Sequence, residues 1–195
     1  MRDNQKSRLY AAERDVFGSS WSTKPDFKTL PECQEFLDKV FKAKVFQRHY
    51  PMADGLNILL RPGKRARRAY ATIHVKDGVR YNSITMPLVF RNRWLILHEL
   101  SHHITNMTTK GGNYTHNHQF ATIYLDLIGM FLGTQTRREL KRAYMKRKVY
   151  TYEKKPAAHS EEHRKMLSDR MKAINAAKKA AREAAKAENT EDQPE

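Results

Sequence analysis

A chain of 195 residues with 39% hydrophobic residues and a mean hydropathy of -0.80 has material for one compact core plus solvated appendages, because a domain takes on the order of 100 to 200 residues. Lys and Arg number 37 against 21 Asp and Glu, a formal net charge of +16 that favours contact with polyanions. The single cysteine, Cys33, excludes an intramolecular disulfide. The N-terminus has no apolar signal region, and no run approaches the roughly 18 apolar residues of a membrane span, so the expectation is a cytoplasmic protein with no membrane partner.

In chain order, residues 3–17 read as a helix with Leu9, Ala12, Val16 and Phe17 near one face and Asp3 or Asn4 as a cap. Gly18 to Lys28 reads as a loop. A second helix starts at Pro31, which suits a first helical turn, and presents Phe36, Leu37, Val40 and Phe41. Three short strands follow, at about Asn57–Leu60, Tyr70–Val75 and Arg80–Met86. The last two flank Lys76-Asp77-Gly78-Val79, and an Asp-Gly pair supplies the positive φ angles of a tight hairpin. Pro87 and the polar Tyr81-Asn82-Ser83 stretch mark the second arm as an edge strand. His49 and His74 fall in strand-like or loop-like surroundings.

Helical spacing returns from Arg93 to about Asn106 and is strongest from Gln119 to Leu132, where Phe120, Ile123, Tyr124, Leu127, Ile128 and Phe131 recur at three- and four-residue steps. Gly133 ends that helix, and Thr136-Arg137-Arg138-Glu139 matches a capping box for the next. Residues 160–188 are rich in Ala, Lys, Arg and Glu around a narrow stripe of Leu167, Met171 and Ile174. The organisation expected is a compact main domain over 1–150, a basic helical extension over 151–188 and a disordered tail over 189–195. The fold class is α+β: a small antiparallel sheet or hairpin packed on helices, with a long basic C-terminal helix.

The sharpest local feature is His98-Glu99-Leu100-Ser101-His102, the H-E-x-x-H spacing of zinc peptidases. Histidines four apart lie one turn apart on one helix face, so both imidazoles reach one ion. Glu99 lies about 100° round the helix, placed to act on a water without being a ligand. Ile96, Leu97, Leu100 and Ile104 fall on the opposite arc, which predicts that one face meets the core. The histidine face is then expected to look into a cleft walled by Trp94 and Leu95.

A catalytic zinc site needs a third protein ligand, and the spacing leaves two candidates, His116 and His118, just before the most apolar helix. The Lys110-Gly111-Gly112-Asn113 loop lets the chain fold back. His103 points away from the His98 side and reads as structural. His159 and His163, also four apart, sit in a polar segment with no third partner and read as surface residues. Tyr114 and Tyr81 are the candidates for stabilising a developing oxyanion.

With those residues in view, the HELSHH and HNHQF segments resemble the SprT-like (Spartan-like) zinc metallopeptidases and the related small metallohydrolases of actinobacteria and their phages. In these, a downstream H-G-x-x-F-type element follows the H-E-x-x-H helix. The likeness covers mainly residues 80–132 and implies a zincin-like fold with His98, His102 and His116 as zinc ligands, Glu99 as general base and Phe120 as the aromatic. Asn117 stands where the family has glycine, a departure that asparagine's tolerance of unusual backbone angles makes mild. His118 then takes a position outside the ligand set.

The activity expected is metal-assisted hydrolysis of a peptide or protein, with an extended substrate added to the Tyr81–Met86 edge. The resemblance further implies protein substrates bound to DNA, with DNA or RNA held by the basic C-terminal region. Two rivals stand beside this reading. One is a nucleic-acid-binding or virion-associated structural protein with a non-catalytic zinc site, and the other a zinc hydrolase acting on a small molecule.

Overall fold

The computed structural model describes residues 5–19, 24–63, 68–108, 115–152 and 161–191. They form an α+β protein with seven α-helices and a three-stranded mixed sheet. The chain divides into two compact units, Met1–Glu153 and Lys154–Glu195. The first holds six helices and the sheet; within the second, the described residues form a single helix.

Helix α1 spans Lys6–Phe17 and buries Leu9, Ala12 and Glu13. The expected caps Asp3 and Asn4 lie outside the described residues, and Gln5 occupies the cap position. Helix α2, Leu30–Lys42, has a complete capping box in which Thr29 accepts from the Glu32 amide while the Glu32 carboxylate accepts from the Thr29 amide. A six-residue helix α3, Lys44–His49, follows, with a 3-10 turn at Pro51–Ala53. His49 is therefore helical rather than in strand or loop; six residues are too few to display the spacing that marks a helix in sequence.

Strands β1 (Ile58–Pro62), β2 (Tyr70–Lys76) and β3 (Val79–Met86) are ordered β1-β3-β2. The β2–β3 hairpin turns at Asp77 and Gly78, with φ of 52° and 75°, as the Asp-Gly pair predicts. Two expectations fail. The sheet is mixed rather than antiparallel, because β1 pairs parallel to β3 with Ile58 opposite Asn82 and Leu60 opposite Ile84. And β3 is the central strand, not an edge. Pro87 lies just beyond β3 and so removes no ladder donor, while Ser83 is buried and paired with Leu59 on one side and Thr72 on the other.

Helix α4 spans Arg93–Thr108, α5 His118–Phe131 and α6 Thr134–Arg147. Ile96, Leu97, Leu100 and Ile104 are fully buried in a core shared with Ile84, Met86, Leu127 and Ile128. The rest of α4 is covered as well, since every residue from Trp94 to Thr105 is buried. The histidine face thus does not open freely onto a cleft; α1 and α5 lie over it. Helix α6 begins two residues before the expected box, after Gly133 at φ 96°. Thr136 donates to the Leu132 carbonyl and Glu139 accepts from Gln135, so neither residue caps.

Helix α7, in the second unit, spans Glu161–Glu191, so residues 189–191, expected as disordered tail, continue the helix. The remaining four residues lie outside the described set. Met171 and Ile174 on its apolar stripe are exposed. No helix among the described residues is long and apolar enough to cross a membrane.

Helix α1 is fastened to α6 by a bidentate ion pair from Arg147 to Asp15, at 2.7 and 2.8 Å, and by Arg8 donating to the Lys148 carbonyl. The hydrogen bond from Arg147 holds the Asp15 carboxyl below its usual range. A carboxyl depressed on folding stabilises the fold above its unfolded pKa of about 3.9, and that contribution is lost as the pH falls through the folded value. Asp15→Asn is therefore expected to lower the melting temperature slightly at pH 7 and to leave it unchanged near pH 2. Equal differences at both pH values, by thermal melts followed by circular dichroism, would remove the pair from the stability of the fold.

Candidate metal centre

Three buried histidines meet between α4 and the start of α5. His98, His102 and His116 are 1%, 7% and 3% exposed, and each offers a ring nitrogen within 4.8 Å of the others. His98 Nε2 and His116 Nε2 are 3.3 Å apart. Two nitrogens bound to one zinc at about 2.0–2.1 Å with tetrahedral angles stand about 3.3–3.4 Å apart, so this pair has the spacing of two ligands. The three residues are close enough to hold a metal ion, and His118 is not one of the group.

Local sequence explains how His116 comes to face α4. Asn117 caps α5, its side chain accepting from the Phe120 amide at 2.9 Å. Its backbone is extended, with φ -75° and ψ -175°, so asparagine serves here as a cap and not through its tolerance of unusual angles. The cap fixes His116 immediately outside the helix and Phe120 one turn within it. The Phe120 ring then packs against His98, His102 and His116 with centroids 4.9, 4.4 and 4.8 Å away. His118 is the first residue of α5 and half-buried, and its carbonyl accepts from Thr122.

The other wall is α1, which sequence reasoning did not assign to the site. Glu13, 3% exposed, accepts a hydrogen bond from His98 Nδ1 at 2.5 Å. That bond places the proton on Nδ1 and turns the Nε2 lone pair towards His116. Tyr10 stacks on His98 at 5.5 Å and meets the edge of His116 at 5.0 Å. Gln5 donates to the carbonyls of His116 and Tyr150 at 3.3 Å and accepts from the Tyr150 amide. A signal was present: Glu13 lies four residues after Leu9 on the apolar face of α1, where an unpaired carboxylate would be costly.

The electrostatics sort the groups by role. Burial disfavours the charged form of His98, yet the charge of Glu13 and its hydrogen bond outweigh it and raise the pKa. Burial, with His98 and His116 alongside, pushes His102 well below the usual range, leaving a neutral imidazole fit to ligate. Burial raises Glu99, opposed by the charge of His98, the Ala71 amide and Arg68. Glu99 lies off the triad, 5% exposed, towards β2.

A cleft of about 310 Å³ adjoins this edge. Trp94 and Leu95 wall it, as the spacing predicts, and it reaches His98 and Glu99 but neither His102 nor His116. His103 is fully buried, with Nε2 3.2 Å from the Ser83 carbonyl, a structural position. Tyr81 is 48% exposed beside the hairpin turn, opposite His74, and does not line the cleft. Tyr114, the 110–113 loop and His159 lie outside the described residues. Comparisons with protein-family models, curated proteins and solved structures gave no match.

With Zn2+ as the probe ion, His116→Ala is expected to abolish stoichiometric binding and His118→Ala to retain it. Glu13→Gln should weaken binding about 10- to 100-fold, as loss of a partner behind a ligating histidine does. Chelator-competition titrations measure all three; loss in the His118 variant with retention in the His116 variant would redraw the ligand set.

Proposed function

We propose that the protein is a zinc-dependent hydrolase, most simply a peptidase, of the SprT-like, zincin-like kind that its HELSHH and HNHQF segments resemble. The observation that carries this reading is the meeting of three buried imidazoles, one of which, His98, shares a cleft with the carboxylate Glu99, which is outside the ligand group. The residues fit zinc: an all-nitrogen donor set, ligand-like spacing of His98 and His116, a neutral His102, and a carboxylate behind His98 that fixes its tautomer. Zinc bound there would supply Lewis-acid polarisation of a carbonyl and acidify a water.

The chain's own residues supply the rest. Glu99 is held by the Ala71 amide at the floor of the cleft, and burial raises its proton affinity. A carboxylate with raised pKa takes a proton from an attacking water and returns it to a leaving amine more readily than an ordinary one. Phe90, Trp94 and Leu95 give the cleft beside Glu99 an apolar wall. A peptide is favoured over a small molecule because β2 is an edge strand and its Ala71 amide bonds Glu99. Strand addition to β2, in place of the Tyr81–Met86 edge first expected, would lay a substrate backbone beside that carboxylate.

One observation favours the rival structural reading, namely that all three histidines are at least nine-tenths buried, as in closed structural sites. Glu99→Gln separates the two. On the hydrolase reading, it lowers casein or histone cleavage about 100- to 10,000-fold and leaves zinc content intact. Equal and metal-independent rates in both proteins would leave a structural metal site.

The second unit supports contact with DNA or RNA. Within it, residues 154–188 carry 10 Lys and Arg against 5 acidic residues, and charge of this kind binds phosphates in a salt-dependent way without reading sequence. Deleting residues 154–195 is expected to reduce duplex DNA affinity and flatten its dependence on salt, measured by fluorescence anisotropy. An unchanged salt slope would assign the polyanion contact to the first unit.

A further inference from the structure

The cleft beside Glu99 combines two features that ordinary packing does not require. Its walls are apolar and aromatic: Phe90, Trp94 and Leu95 line it, and the Trp94 indole is held by face-to-face stacking on Phe17, with centroids 5.0 Å apart and planes within 5°. Arg14 of α1 and Arg68, just before β2, are both exposed and both line the same cleft. Asp15, the acidic neighbour of Arg14, is committed to Arg147. Among the described residues no ion pair engages either arginine. Both carboxylates in the cleft wall are buried and hydrogen-bonded, Glu13 to His98 and Glu99 to the Ala71 amide. The unmatched charge facing the opening is therefore cationic.

We propose that this cleft is the specificity pocket of the hydrolase and takes a peptide segment in which a large apolar residue is flanked by an acidic one. The inference rests on the hydrolase reading for what happens to the segment, but not for its binding. About 310 Å³ is the lower end of ligand-sized clefts and accommodates one large side chain with its flanking backbone. The stacked indole offers a rigid apolar wall that costs little entropy to present. Planar guanidinium groups at the mouth match a carboxylate in bidentate geometry. The same two charges penalise a basic residue at that position, so they select as well as attract.

The test uses full-length Glu99→Gln protein loaded with zinc, which binds without turning over, and two acetylated, amidated pentapeptides, Gly-Asp-Phe-Gly-Gly and Gly-Lys-Phe-Gly-Gly. Binding is read by calorimetry and by tryptophan fluorescence. The acidic peptide is expected to bind about tenfold more tightly at low salt, with the difference shrinking in 0.5 M NaCl. Adding Arg14→Glu and Arg68→Glu should reverse the order, and Arg14→Lys with Arg68→Lys should keep its sign at reduced size. Both arginines are exposed, and unchanged circular dichroism and zinc content verify the fold.

Equal affinities, tighter binding of the lysine peptide, no binding of either, or an order indifferent to the charge reversal each overturns the proposal. The two readings fail separately. Acid-selective binding by the Glu99→Gln protein with no cleavage of any peptide by the wild type sinks the hydrolase reading alone; cleavage without acid preference sinks the pocket.

Discussion

The buried hydrogen bond between Glu13 and His98 is the constraint around which the molecule is arranged. A carboxylate and an imidazole, both nearly inaccessible to water, would each be costly to bury alone, and breaking such a pair from one side leaves a stranded charge. The bond therefore holds α1 against α4, two helices 85 residues apart in sequence. Through it α1 acquires its other contacts: Tyr10 fills the space between His98 and His116, and Gln5 holds the His116 carbonyl and the segment after α6. The Arg147–Asp15 pair fastens the outer side of the same helix.

Seen from His98, the site is a layered structure. Nδ1 faces a carboxylate, Nε2 faces two further imidazoles, and Phe120 and Tyr124 close the far side. Such an arrangement fixes the tautomer and the ring angle before any ion arrives, so little reorganisation is required on binding. It also accounts for the burial of Tyr124, whose hydroxyl donates to the Trp94 carbonyl. The aromatic wall of the cleft and the aromatic wall of the histidine cluster thus share one hydrogen-bonded link through α4 and α5.

The sheet contributes by direction more than by mass. Both β2 and β3 pack on α4: His103 meets the Ser83 carbonyl of β3, and the Ala71 amide of the edge strand β2 reaches Glu99. A buried carboxylate held by one backbone donor is better poised to exchange a proton than one bound by several donors, which would stay ionised. The antiparallel β2–β3 hairpin thus carries the backbone donor that holds the group on which the proposed chemistry depends.

Much of this was legible in the residues. The three- and four-residue apolar spacing located α2, α4 and α5, the Asp-Gly pair fixed the hairpin because it meets a backbone requirement set within four residues, and the H-E-x-x-H spacing placed His98, Glu99 and His102 by helix geometry alone. His116 was one of two candidates by spacing, and the family likeness chose it; in the fold, the Asn117 cap is what sets its position. Tertiary structure alone decided the rest. Whether β3 lay at an edge or in the centre depended on β1 pairing across more than twenty residues, and nothing local encodes a partner that distant. Glu13 was visible only as a charge on an apolar face, since the histidine that compensates it is brought close by the packing of α1 on α4. Short-range geometry is written in neighbouring residues, whereas the offset of a buried charge is a property of whichever surfaces folding brings together.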